Sequence, residues 1–166
     1  SMTLFSTLVK GKAFKDLTGL KKLHTINIPM NELTADTYEL FSAYPKLTTL
    51  DVGRCHPSEQ AIKSIAKCKN LIDLDISGNR TVNDHTIKYL TSLKRLESIR
   101  LFGTNVSLNG LAQLKDLPLK LIVLPEREYE KDKLDAVRKL FPHTSLIKKG
   151  ESKLNKNEET IFAPLH

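Results

Sequence analysis

Apolar residues recur along this chain in a fixed order, with leucine, isoleucine or valine at the first, fourth and sixth positions of a short motif. Asn, Cys or Thr follows at the ninth position, and successive copies are 24 or 25 residues apart. The four regular copies start at Leu23, Leu47, Leu71 and Leu96. A fifth copy starts at Leu119 but has Arg127 at its ninth position, and a faint sixth starts at His143. Self-similarity with this period predicts a solenoid of stacked repeats, an architecture that disfavours a deep catalytic pocket.

Each copy has two halves that differ in periodicity. The motif alternates apolar and polar residues, which predicts strands near residues 24–28, 48–52, 72–76, 97–101, 120–124 and 144–148. Apolar residues then recur every third position, as in Ile62, Ile65 and Cys68, which predicts a helix with one buried stripe. Because all copies run the same way, we expect the strands to pair in parallel.

The ninth residue of each copy is expected to have a structural role. The chain turns away from the sheet there, and the backbone groups that become buried need hydrogen-bond partners. The amides of Asn31 and Asn79 provide both donors and an acceptor, whereas Cys55 and Thr104 provide fewer. We therefore expect these asparagines to stabilise the fold and not to contact a partner.

The length of 166 residues indicates one domain. We assign residues 1–150 to the repeats, with 1–20 as an N-terminal partial repeat or cap and 126–150 as a C-terminal cap. The strand of the partial repeat is expected around Phe5–Val9. Residues 151–166 are polar and charged, which predicts a flexible tail. No apolar run approaches 18 residues, so we expect no transmembrane helix, and no signal peptide is visible.

The registered copies resemble the leucine-rich repeat family over roughly residues 13–150. The fourth copy, LESIRLFGTNVSLNGLAQLKDLP, is similar to the bacterial variant with Gly-Thr-x-Val after the strand and Gly-Leu-x-x-Leu-x-x-Leu-Pro in the helix. The copies containing Cys55 and Cys68 also resemble the cysteine-containing variant found beside F-boxes in ubiquitin-ligase adaptors. The resemblance implies an α/β fold: a right-handed solenoid of about five to six repeats, with a concave parallel β-sheet and short convex helices.

The register also predicts which side chains form the concave face. If positions one, four and six point inward, positions three, five and seven face outward from the sheet. This places an acidic cluster in the middle of the face and apolar residues, including an aromatic, toward its C-terminal half. An aromatic residue beside aliphatic residues and an arginine is typical of interface hot spots. The predicted partner-binding residues are Asp51, Asp73, Asp75, Arg54, Arg100, Phe102, Leu121 and Val123.

The chain offers little chemistry for catalysis. Its five histidines are scattered, and no nucleophile, zinc or phosphate-binding motif occurs. The three aspartates lie on a flat sheet and do not provide the six or more oxygens of a calcium cage. We therefore predict no enzymatic activity, no cofactor and no metal. Cys55 and Cys68 fall at different corners of one repeat, so we expect free thiols and a reducing intracellular compartment.

The favoured function is a non-enzymatic, monomeric module that binds a partner protein on its concave face. The bacterial-type repeat favours a secreted effector, a virulence protein acting in the host cell cytosol on a host protein. One alternative is the substrate-recognition fragment of an F-box-type ubiquitin-ligase adaptor. Another is a basic-ridge binder of anionic lipid or nucleic acid, because the formal charge is +7 and lysines precede each strand. Nucleic acid is disfavoured by the lack of stacking aromatics, whereas peripheral contact with an anionic membrane stays open.

Overall fold

One parallel β-sheet runs through the whole of the computed structural model, which describes residues 1–3, 19–125 and 131–148. The strands lie side by side in chain order, and every neighbouring pair is parallel. In the described part of the chain they are Met2–Thr3 (β1), Thr25–Asn27 (β2), Thr49–Asp51 (β3), Asp73–Asp75 (β4), Ser98–Arg100 (β5), Leu121–Val123 (β6) and Ser145–Ile147 (β7). The α/β solenoid predicted from the sequence is confirmed.

Short helices return the chain from the end of one strand to the start of the next. They are Ala35–Phe41 (α1), Glu59–Ile65 (α2), Asp84–Ile87 (α3), Leu108–Ala112 (α4) and Lys131–Leu140 (α5). Helix α3 continues as a 3-10 helix over Lys88–Ser92. The side chains of Ser58, Asn83 and Ser107 accept backbone N–H bonds and so cap the starts of α2, α3 and α4.

The core lies between the sheet and the helices. Positions one, four and six of all five copies from Leu23 to Leu124 are buried, with exposures of 6% or less. The helical stripe closes the other side through residues such as Phe41, Ile62 and Leu111, each fully buried. Since the strands of each repeat contribute the same aliphatic positions, successive repeats stack on one another in register.

Asn79, at the ninth position of its copy, holds its repeat to the preceding one. Asn79 donates to the carbonyls of Ile76 (2.9 Å) and Val52 (3.0 Å), and its Oδ1 accepts from the His56 N–H (2.8 Å). In the repeat before it, the Cys55 thiol donates to the carbonyl of Ile28 at 3.2 Å. The predicted structural role is therefore confirmed for Asn79. Cys55 makes the corresponding bond to the preceding repeat.

The two ends of the array are described in part. Met2 pairs with Ile26, so a strand precedes the first regular copy by one period. The expected strand around Phe5–Val9, most of the N-terminal cap and the tail at 151–166 fall outside the described residues. Within the C-terminal cap, α5 and β7 continue the repeat, and Leu121 pairs with Ser145 in register. Cys55 and Cys68 are free and buried, as expected.

Candidate functional site

The concave face is built from in-register columns of side chains. Position three gives the column Thr25, Thr49, Asp73, Ser98, Leu121 and Ser145. Position five gives the column Asn27, Asp51, Asp75, Arg100, Val123 and Ile147. Residues 23 to 25 positions apart along the chain therefore stand side by side, about 4.8 Å apart between neighbouring strands. The predicted neighbours Asp51, Asp75 and Arg100 do lie on adjoining strands.

Asp51 and Asp75 share one local geometry. Oδ1 of Asp51 accepts the backbone N–H of Gly53 at 2.9 Å, and Oδ1 of Asp75 accepts that of Ser77 at 2.8 Å. Each aspartate thus ties down the turn that follows its own strand. A Cβ at Gly53 would lie 3.2 Å from Oδ1 of Asp51 and 3.8 Å from Oδ1 of Asp75, so the glycine leaves room beside both carboxylates.

Charge compensation within the acidic cluster (Asp51, Asp73 and Asp75) is uneven. Nε of Arg100 lies 3.9 Å from Oδ2 of Asp75, a long ion pair with both side chains about four-fifths buried. Burial raises the pKa of Asp51 to about 6, the charge of Asp75 adds to this, and the Gly53 N–H and Arg100 oppose it. Burial also raises the pKa of Asp73. The cluster therefore holds more negative charge than Arg100 neutralises.

Arg54 lies at the rim of the face, one position beyond the columns. Its backbone is left-handed, with φ of +56°, and its side-chain stem crosses the place that a Cβ on Gly78 would occupy. Position eight is left-handed in four successive repeats, at Met30, Arg54, Gly78 and Gly103. The N–H at this position donates to the position-seven carbonyl of the next repeat, at 2.6 to 2.8 Å. Sequence reasoning missed this column, although glycine at two matching positions was a signal for it.

The C-terminal half of the face is apolar but less exposed than the sequence indicated. Phe102, Leu121 and Val123 are half-buried, and Pro125 at position seven is buried. Arg100 stands between these residues and the two aspartates of its column. The large apolar side chains with the highest exposure in the described residues, Met30 at 47% and Leu20 at 48%, lie elsewhere and were not predicted as contacts.

The face offers electrostatic and apolar contacts. Within residues 1–3, 19–125 and 131–148, no group of three or more His, Cys, Asp or Glu side chains is placed to hold a metal ion. In the same residues, no helix is both long and apolar enough to cross a bilayer. Burial raises the pKa of the Cys55 and Cys68 thiols to about 11 and about 12, so neither is a poised nucleophile.

Comparison with known proteins places this architecture in one class. No family model matches the chain, and no curated protein matches it. An internalin of Listeria monocytogenes is 16% identical over 78% of this chain, with a TM-score of 0.58. TLR13 in its ssRNA13 complex is 19% identical over 76% (TM-score 0.54), and a leucine-rich repeat protein of Leptospira interrogans is 20% identical over 80% (TM-score 0.52).

The class is that of parallel β-sheet solenoids with short convex helices, and within it the chain has the leucine-rich repeat fold. The aligned region corresponds to 36%, 19% and 38% of those three chains. The similarity is therefore one of the repeat fold, and it does not extend to the activities of the larger proteins.

Proposed function

We propose that the concave face binds a partner protein through a segment that carries a cationic side chain next to an apolar one. The observation that carries this proposal is the order of the position-five column, in which Asp51 and Asp75 are followed by Arg100 and then by Val123. A basic side chain of the partner would lie over the aspartates. An apolar side chain two or three rungs away would contact Val123 and Phe102.

The electrostatics favour a cationic ligand at the acidic cluster. Asp51 is half-buried and its carboxylate accepts the backbone N–H of Gly53, so its negative charge is poorly stabilised in the unbound protein. A bound ammonium or guanidinium would remove that cost and would add a charge-assisted hydrogen bond. The same charge disfavours RNA at the centre of this face, although ssRNA13 is in the complex of the structural neighbour TLR13.

Preorganisation supports binding by this face without ordering of loops. The strands that carry the columns are joined by continuous ladders, and Asp51 and Asp75 are each fixed by a backbone hydrogen bond. Contacts therefore form with little loss of conformational entropy on the side of this protein.

Selection of peptides from a random displayed library tests the proposal. We expect enriched peptides to carry Lys or Arg beside an aliphatic or aromatic residue. The variant Asp51→Asn/Asp75→Asn retains the acceptors for Gly53 and Ser77 and should lose the preference for basic residues. Phe102→Ala should weaken binding by about thirtyfold or more if this residue is a hot spot.

A matched control changes two exposed acids of the convex helix α1, Asp36→Asn and Glu39→Gln, and should leave the selected sequences unchanged. The proposal is wrong if the concave variants and Arg100→Glu bind the selected peptides as the parent protein does.

A role as a secreted effector in the host cytosol stays a prediction. Its support is the bacterial-type repeat and the two buried free thiols, which suit a reducing compartment. Fractionation of infected host cells tests it: the protein should appear in the host cytosol, and retention inside the bacterium would contradict the prediction.

A further inference from the structure

The turns that lead from each helix into the next strand carry a second charged surface, which we call the basic edge. It consists of Lys21, Lys22, Lys46, Lys67, Lys69, Lys94, Arg95, Lys115 and Lys120, all exposed. It lies at the N-terminal ends of the strands and is distinct from the concave face. We propose that the basic edge docks the protein onto an anionic lipid bilayer.

Hydrogen bonds between successive turns show that the edge is continuous. Asn70 Nδ2 donates to the Pro45 carbonyl at 2.8 Å, and Arg95 Nη1 donates to Asn70 Oδ1 at 3.0 Å. Lys69 Nζ donates to Ser92 Oγ at 2.8 Å. Since these bonds join each turn to the next one, the cations of neighbouring repeats follow the rung spacing of about 5 to 10 Å. That spacing is comparable to the Debye length of about 8 Å at physiological salt, so the cations of neighbouring repeats act together on a charged surface.

The edge contains few negative charges. In residues 19–24, 43–48 and 67–72 there is no Asp or Glu, and in 92–97 and 115–120 the acids are Glu97 and Asp116. Glu97 pairs with Lys120 at 2.7 Å, so these two charges compensate each other and the other eight cations of the edge remain. The positive charge is thus concentrated on this edge, while the acidic cluster lies on the concave face.

Two observations favour a bilayer over a nucleic acid. Single-stranded nucleic acid is usually held by exposed aromatic rings on which bases stack. The aromatic residue of these turns, Tyr44, is 3% exposed and so cannot stack on a base. Leu20 is 48% exposed and directly precedes Lys21 and Lys22. An apolar side chain next to lysines matches the chemistry of an anionic membrane surface, where the chain inserts and the ammonium groups meet headgroups.

Co-sedimentation with vesicles tests the proposal. We expect the protein to pellet with phosphatidylcholine vesicles that contain about one-third phosphatidylserine, to stay in solution with pure phosphatidylcholine, and to be released by high salt. The variant Lys46→Glu/Lys67→Glu/Lys94→Glu should lower the partition coefficient by at least about a hundredfold, since each basic residue contributes about fivefold.

The control variant Arg80→Glu/Lys131→Glu/Lys133→Glu makes the same change in net charge at exposed positions away from the edge, and should pellet as the parent protein does. Leu20→Ala should weaken binding by about threefold to tenfold. Met30 is equally exposed but lies beyond the C-terminal end of β2, so Met30→Ala should not weaken binding to vesicles. These two variants alter no charge and keep the test decisive if the triple variant folds poorly.

Three results would overturn the proposal. One is equal loss of binding in the edge and control variants, and another is failure of the parent protein to pellet with anionic vesicles at low salt. The third is an edge-dependent affinity for RNA or DNA that exceeds the affinity for vesicles. Because these assays contain no peptide ligand, their outcome is independent of the concave-face proposal.

Discussion

Replacement of Asn79 by alanine should lower the free energy of unfolding of this protein more than the loss of any surface charge does. The amide makes three hydrogen bonds of 2.8 to 3.0 Å, and the side chain is fully buried. After truncation the Ile76 carbonyl and the His56 N–H lose the Asn79 amide as a partner, whereas the Val52 carbonyl keeps the Cys55 N–H at 3.3 Å. With about 1 kcal/mol for each bond and more for a group left unpaired, we expect a loss of about 2–4 kcal/mol.

Urea unfolding followed by circular dichroism measures this change through the midpoint and slope. Thr104→Val is the matched control, because the Thr104 hydroxyl donates one bond, to the Leu101 carbonyl at 2.7 Å, and its loss should cost about 1 kcal/mol. Asn79→Cys should fall between the two, since Cys55 makes the corresponding bond to the preceding repeat. A loss below about 1 kcal/mol for Asn79→Ala would refute the claim that this residue joins the repeats.

Three further substitutions test other features of the structure. Burial holds the pKa of Asp51 at about 6 instead of 3.8, so the folded state binds this proton more tightly and stability falls as pH rises between these values. The full pKa shift of Asp51 corresponds to about 3 kcal/mol, which partial exposure to solvent reduces, so Asp51→Asn should flatten that decline by about 1–2 kcal/mol. A profile of urea midpoint against pH that is unchanged from about pH 3.5 to 7 would contradict this. Tyr38→Phe should be neutral or stabilising by up to about 1 kcal/mol, because the buried hydroxyl has no partner among the described residues; a clear drop in melting temperature would show that it is bonded. Met30→Gly should raise the melting temperature by relieving about 0.5–1 kcal/mol of left-handed strain at φ of +57°, and a decrease would mean that the side chain contributes more than its exposure indicates.

The sequence was sufficient to predict the register. A strict return of apolar residues at three positions leaves only one alignment that buries all three in every copy, because a slip by one residue would expose them. The neighbours Asp51, Asp75 and Arg100 follow from that alignment alone, and the structure confirms them. The buried ninth position was also predictable, because turning the chain there must bury backbone groups that need partners.

Features that depend on contacts between repeats were not predictable. Met30 and Arg54 are left-handed because their N–H groups reach the next repeat, and neither residue type signals that conformation. Asp84 accepts the Ser107 N–H at 2.7 Å from the following repeat, a contact that no local pattern indicates. The exposure of Phe102 was overestimated because the burial of a concave residue depends on its neighbours, and the pattern of its own strand contains no such information.

The left-handed residues at position eight link neighbouring coils through backbone bonds that do not involve the side chains of the concave face. Their ladder bonds join backbone atoms, so side chains at positions three and five can be exchanged without altering what links one coil to the next. Insertion of one 24-residue coil between β3 and β4 would reproduce the same backbone bonds, yet it would move Asp51 away from Asp75. Changes in the number of coils would thus create new combinations of surface chemistry while the same backbone bonds continue to link the coils.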